Sequence, residues 1–266
     1  MADRLKGKVA IVTGGGGGMG EATAQLFWEE GAKVTIVDNR LEAAQAAAKG
    51  IDPSGERVLA VGADLATEAG AEQTVRETVA KFGGVHVLAN VAGVRVTPSS
   101  VADAKAEDWR FVVDVNLLSH AYTAKFAIPE MVKAGGGSII NVSSANAIVG
   151  RPKWSLYDAS KAALLAMTRD MACDHAGENI RVNSVCPGPT LTSFHIRNRA
   201  RRENISEAEA ERLMRESGVR NLMKRHGEPR ELAYSILFLA SDESSYVTGA
   251  NFMIDGGLSA IGPYPF

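Results

Sequence analysis

Tyr157 and Lys161 stand four residues apart in Tyr157-Asp-Ala-Ser-Lys161, and Ser144 precedes the tyrosine by thirteen residues. Side chains four apart share one face of a helix. A phenol titrates near about 10 in water and is a weak acid–base at neutral pH. A cation within about 4–6 Å favours the phenolate by about 1–3 pKa units. That brings a tyrosine toward the range where it exchanges a proton with an alcohol or a ketone. Alone, the spacing also describes a surface helix with an ordinary tyrosine and a solvated lysine. The chain ahead of it decides between the two.

That chain holds Thr13, then Gly14 to Gly18, Met19 and Gly20, with glycines at the spacing Gly14-x-x-x-Gly18-x-Gly20. The run follows an apolar strand and opens a helix, the context a dinucleotide loop requires. Glycine lets backbone approach a pyrophosphate, and the helix start offers unpaired N–H groups and a positive dipole end. No Gly-Lys-Ser/Thr follows, which argues against a P-loop. Asp38 lies eighteen residues past Gly20 at the end of the second strand. A carboxylate there accepts hydrogen bonds from an adenosine ribose and repels a 2′-phosphate, so NAD is expected over NADP. Arg40 is close enough to soften that preference.

The elements that must position these residues alternate. Apolar, β-branched runs at Lys8–Thr13, Lys33–Asp38, Arg57–Gly62, Val85–Asn90, Gly137–Ser143, Ile180–Cys186 and Asn251–Asp255 predict seven buried strands. Helical patterns fall near 19–30, 40–49, 67–82, 104–134, 154–176 and 228–240, with Gly177 expected just past the fifth. Strict alternation predicts an α/β fold: a Rossmann-type, doubly wound, mostly parallel sheet flanked by helices. With no repeat or linker, residues 1–266 read as one domain. Residues 191–227 are too long for an ordinary connection, and Ser206–Arg220 within them is helical and charged, so the segment is expected to be a lid or an external decoration.

Composition limits the alternatives. The formal net charge of −2 provides no global field for nucleic acid or an anionic membrane. The two cysteines, Cys173 and Cys186, make no disulfide framework, and five scattered histidines make no metal-ligand cluster. Without a signal-peptide pattern or an apolar run of membrane length, a cytoplasmic location is expected.

With these motifs placed, the chain resembles the classical short-chain dehydrogenase/reductase family over nearly its whole length. Further motifs agree. Asp64-Leu65 follows the third strand, Asn90-Val-Ala92-Gly93 the fourth, and Pro187-Gly188-x-Thr190-x-Thr192 the sixth. Asn116 sits mid-helix, and Val247-Thr-Gly249 and Asp255-Gly-Gly257 come near the end. Val91 departs from the family's second asparagine, and Thr190 from its usual aliphatic residue.

The resemblance implies an oxidoreductase moving hydride between a nicotinamide and a secondary alcohol or ketone. Tyr157 would be the acid–base, Lys161 would lower its pKa and bond the nicotinamide ribose, and Ser144 would orient the substrate oxygen. Ser143 competes with Ser144, and the thirteen-residue spacing selects the latter. Asn116 would hold a water linking Lys161 to solvent, although as a lone residue it reads as a helix asparagine bonding backbone. Gly14, Gly18, Met19, Gly20, Asp38, Asp64, Leu65, Asn90, Ala92, Gly93, Pro187, Gly188, Thr190 and Thr192, with Tyr157 and Lys161, would bind the cofactor.

The family likeness places Arg95, Ala145, Asn146, Trp154, Phe194 and His195 on the substrate wall. Arg95, Arg151, Lys153 and Arg197 make that wall cationic, with His195 titratable. Long cationic side chains edging a pocket and facing water are the favoured explanation, and an anionic substrate the other. The resemblance also implies a homotetramer or homodimer. The apolar tail Leu258–Phe266 is expected to pack on a neighbouring subunit. The rival class is a non-enzymatic NAD(H)-binding regulator, against which the full Asn116, Ser144, Tyr157, Lys161 set argues. An enoyl reductase variant fits poorly because its tyrosine and lysine would be spaced differently.

Overall fold

The computed structural model describes residues 3–261. Strands β1 (Val9–Thr13), β2 (Lys33–Asp38), β3 (Val58–Gly62) and β4 (Val87–Asn90) alternate with helices α1 (Gly18–Glu29), α2 (Leu41–Ile51) and α3 (Glu68–Phe82). After β4 come α4 (Ala106–Val113), α5 (Ser119–Lys133), β5 (Gly137–Val142), α6 (Ser155–His175) and β6 (Ile180–Pro187). The chain closes with α7 (Ser193–Glu203), α8 (Glu207–Glu216), α9 (Pro229–Ala240) and β7 (Asn251–Ile254). The sheet order is β3-β2-β1-β4-β5-β6-β7, and every pairing is parallel.

Side-chain alternation along each strand explains the double winding. Ala10, Val12, Val34, Ile36, Val87, Ala89, Ile140 and Val142 pack under α1, α2 and α9. Their neighbours Ile11, Val37, Leu88 and Ile139 face the other way, under α3, α5 and α6. Both faces are therefore apolar, and continuous hydrophobic runs are what a sheet covered on both sides needs. The one buried polar residue in β2, Thr35, is satisfied by the Thr78 hydroxyl of α3 at 2.9 Å.

Three details differ from the sequence reading. The helix expected over 104–134 is interrupted by a π turn at Asp114–Leu118, which inserts a wider turn at Asn116. Gly177 does not terminate α6. It lies in a 3₁₀ turn, and Asn179 at φ 58° takes the left-handed position instead. The insertion carries two helices rather than one; α7 lacks apolar periodicity and escaped notice, although Thr192 caps it. Its partner α8 holds the expected Glu211–Arg215 pair, and Arg215 also bonds Glu228 at the start of α9.

The topological switch lies where β1 is flanked by β2 and β4, and a crevice opens there beyond the strands' carboxyl ends. Among the described residues, no helix is long and apolar enough to cross a membrane. Tail residues 262–266 lie outside the described residues.

Candidate active site

A cleft of about 1860 Å³ runs along that crevice, from Asp38 and Asp64 at one end to Tyr157, Phe194 and His195 at the other. The glycine spacing has a steric cause. Gly14 sits at φ +63°, and a Cβ there would stand 2.9 Å from the Ala92 Cα at the end of β4. A Cβ on Gly20 would collide with the Gly14 carbonyl. The loop therefore folds onto itself and onto β4 only because both residues lack a side chain. Gly18 opens α1, and the start of the insertion covers it: a Cβ at Gly18 would meet Thr192 at 3.3 Å. This bare, N–H-rich cradle fits a dinucleotide pyrophosphate.

Asp38 ends β2 beside the loop. Its carboxylate accepts from the Gly16 and Arg40 amides at 3.2 and 3.1 Å, and Arg40 Nε lies 3.4 Å away. Met19, Asp64, Leu65, Ala92, Gly93, Pro187, Gly188, Thr190 and Thr192 also line the cleft. Thr13 supports that wall by accepting from the Val91 and Ala92 amides at 3.0 and 3.1 Å.

Four expected site residues do not line the cleft, although Asn116 Oδ1 stands beside Lys161 Nζ behind Gly93. Asn90 is buried behind the wall and donates to Asn141 at 3.0 Å, so it braces β4 against β5. Ala145 is fully buried. Trp154 stands against the Arg151 guanidinium, 3.9 Å from its ring centroid, rather than on the wall. Asn116 is also off the wall. Its Oδ1 accepts from the Val94 amide at 2.7 Å, and its Nδ2 donates to the Val94 carbonyl at 3.0 Å and to Ser160 at 3.1 Å. The side chain is thus occupied as a clamp on the Val94 backbone. Asn116→Ala would orphan both Val94 groups, each costing about 1–3 kcal/mol when buried. A stability loss of about 2–3 kcal/mol in urea titration is expected; a change under about 0.5 kcal/mol would refute the clamp.

Around the tyrosine, the structure brings distant residues together. Ser143 donates to the Lys161 carbonyl at 2.7 Å, which leaves Ser144 as the free hydroxyl at the cleft. Ser144 accepts from the Asn146 amide and side chain at 3.2 and 3.3 Å. Lys161 is buried, donates to the Val142 carbonyl at 2.9 Å and stands 6.0 Å from the Tyr157 ring. Burial pushes Tyr157 above the ordinary phenol value, and Arg95 first, then the Ser144 hydroxyl and Arg151, pull it back. Burial pushes Lys161 itself down to about 7, against a weaker upward pull from Cys186.

That displacement has a thermodynamic sign. A folded-state value of about 7 lies below the ordinary lysine value, so the unfolded chain holds the extra proton between pH 7 and about 10. Stability then rises with pH across that window, and the cost of the buried ammonium is fully felt below it. Lys161→Met is expected to raise Tm at pH 6 by about 3–6 °C without cofactor, with the gain shrinking toward pH 10. Scanning calorimetry at both pH values checks this; an unchanged or lowered Tm at pH 6 refutes it.

His195 differs from a free titrating group. Its Nδ1 lies 2.8 Å from the Thr190 carbonyl, which can only accept, so Nδ1 carries the proton. Burial, then Arg95, pushes its pKa down to about 4, and the ring is neutral at pH 7. His120, which sequence reasoning passed over, is likewise held neutral by burial, near about 3, and its Nε2–H donates to the Ala92 carbonyl at 3.0 Å. A buried histidine on an apolar helix face carries no local signal of that contact.

Comparison with known proteins gives the family. The profile of the family described as Enoyl-(Acyl carrier protein) reductase matches residues 15–259. The chain belongs to the classical short-chain dehydrogenase/reductase family. It is 36% identical to the meso-2,3-butanediol dehydrogenase of Serratia marcescens over 257 residues, covering 97% of this chain and 96% of that protein. It is 39% identical to the NADP-dependent (R)-specific alcohol dehydrogenase of Lentilactobacillus kefiri, over 98% of this chain and all of that protein. Among solved structures, the ligand-free aldohexose dehydrogenase of Thermoplasma acidophilum superposes with a TM-score of 0.87 at 31% identity, covering 100% of this chain and 99% of that one. This short-chain dehydrogenase/reductase is thus an oxidoreductase whose family binds nicotinamide cofactors.

Proposed function

We propose that this protein is an NAD-dependent dehydrogenase of secondary alcohols, or reductase of the matching ketones, with Tyr157 as its acid–base. The observation that carries the reading is the shared cleft: Ser144 and Tyr157 face one end, and the glycine cradle and Asp38 line the other. When bound, the nicotinamide supplies the hydride chemistry. In oxidation, Tyr157 Oη takes the alcohol proton, and in reduction it returns a proton to the carbonyl oxygen. Ser144 Oγ donates to that oxygen and fixes its distance from the phenol. Lys161 Nζ, already close to the Tyr157 ring, would hold the nicotinamide ribose.

Asp38 supports NAD over NADP in two ways. It places negative charge at the end of β2, and it engages Arg40, the basic residue beside it. Residues 191–227 act as a substrate lid in this reading, since Thr192 and Ser193 stand over the glycine loop and Phe194 over the substrate end. A small alcohol or ketone is the expected partner, in a cytoplasmic homotetramer or homodimer of one-domain chains.

The test is spectrophotometric. The purified protein is given NAD or NADP with a panel of secondary alcohols, including cyclic diols, sugar alcohols, steroids and hydroxy acids, and reduced nicotinamide is followed. Turnover with NAD is expected. Tight NAD binding without turnover on any alcohol or matching ketone would refute the enzyme reading.

A further inference from the structure

Arg95 follows the Val94 backbone that Asn116 clamps, and its guanidinium enters the substrate end of the cleft. It lies 5.4 Å from the Trp154 ring centroid and 5.4 Å from that of Phe194. Trp154 comes from the start of α6 and Phe194 from α7, so two separate elements supply the aromatic groups around one cation. Such contacts satisfy the charge through the ring quadrupoles but leave the N–H groups without acceptors. Among the described residues, Arg95 makes no hydrogen bond and no ion pair.

The neighbouring cation is different. Arg151 Nη2 bonds Asp158 at 3.0 Å and its Nε lies 3.4 Å from the same carboxylate, so its charge is offset. His195 is neutral, as shown above. Beside Tyr157, therefore, one guanidinium is paired, and the other is partly desolvated with its donors unused. None of these donors is sealed from water, and an oxyanion placed across the guanidinium edge would take two parallel, charge-assisted N–H···O bonds from them.

We infer that Arg95, held between Trp154 and Phe194, is the anchor for a carboxylate or sulfonate carried by the alcohol or ketone substrate. This rests on the oxidoreductase reading and narrows it: the substrate is a hydroxy or oxo acid rather than a neutral alcohol. The lid takes part, because Phe194 touches the cation only from α7.

Binding tests this separately from turnover. The NAD-saturated protein is titrated calorimetrically with lactate, 3-hydroxybutanoate and 2-hydroxypropanesulfonate, and with the neutral amide of each. At least one acid is expected to bind about tenfold tighter than its amide, the effect of a charge-assisted pair. The members of the series distinguish carboxylate from sulfonate. Arg95→Gln should bring that ratio to within about twofold, and Arg95→Lys should restore part of it. Acids binding no tighter than amides would overturn the proposal. So would a preference that survives in Arg95→Gln, which would move the anchor to another cation such as Arg197. If Arg95→Gln fails to fold, Arg95→Lys decides: an undiminished ratio overturns the bidentate anchor. The same acids are also assayed for nicotinamide reduction; absence of all turnover would sink the enzyme reading, while the acid-to-amide binding ratio still reports on Arg95.

Discussion

Tyr157→Phe is expected to reduce turnover of the best alcohol by about 10³-fold, within the range that general acid–base catalysis contributes. Cofactor affinity should fall far less, because the glycine cradle and Asp38 are untouched. The pH dependence carries the more specific signature. Oxidation needs the phenolate, and burial holds the phenol above its ordinary value while Arg95 opposes that rise. The wild-type oxidation rate should therefore climb with pH, and the climb should vanish with the hydroxyl. Steady-state kinetics between pH 6 and 10, beside nucleotide titrations by fluorescence, measure both. A variant that retains wild-type turnover would remove Tyr157 from the chemistry.

The second large effect concerns the cofactor. Asp38→Ser should shift the ratio of kcat/KM for NAD to that for NADP by about 10²-fold toward NADP. Two changes act together: the charge that opposes a 2′-phosphate disappears, and Arg40 is released from its 3.4 Å contact with that carboxylate. Loss of the Gly16 contact should also weaken NAD binding somewhat. The outcome that sinks the argument is a wild-type enzyme that already favours NADP. The Lentilactobacillus kefiri relative, named as NADP-dependent, shows that the family resemblance alone does not settle this preference.

Much of the scaffold is legible in the residues themselves. Period-two strands, apolar on both faces, imply a parallel sheet with helices on each side, and all seven are there. The spacing of Gly14 and Gly20 encodes a loop that doubles back, since each stands where a Cβ would strike backbone. Tyr157 and Lys161 share a helix face by local geometry, and both reach the cleft. These features depend on neighbours a few residues away, which a sequence displays directly.

Tertiary structure alone decided where the polar side chains are engaged. Asn90 and Asn116 sit in motifs that suggest a cleft, yet one braces Asn141 and the other clamps Val94. His120 and His195 are neutral because packing desolvates them and carbonyls fix their tautomers. Arg95 looked like a solvent-facing edge until Trp154 and Phe194, distant in the chain, came against it. Hydrogen-bond partners and burial are set by contacts between remote segments, and those contacts follow no local period. The sequence by itself therefore determined the scaffold and the placing of Tyr157 and Lys161 on one helix face, while the environment that sets their charges arose only on folding.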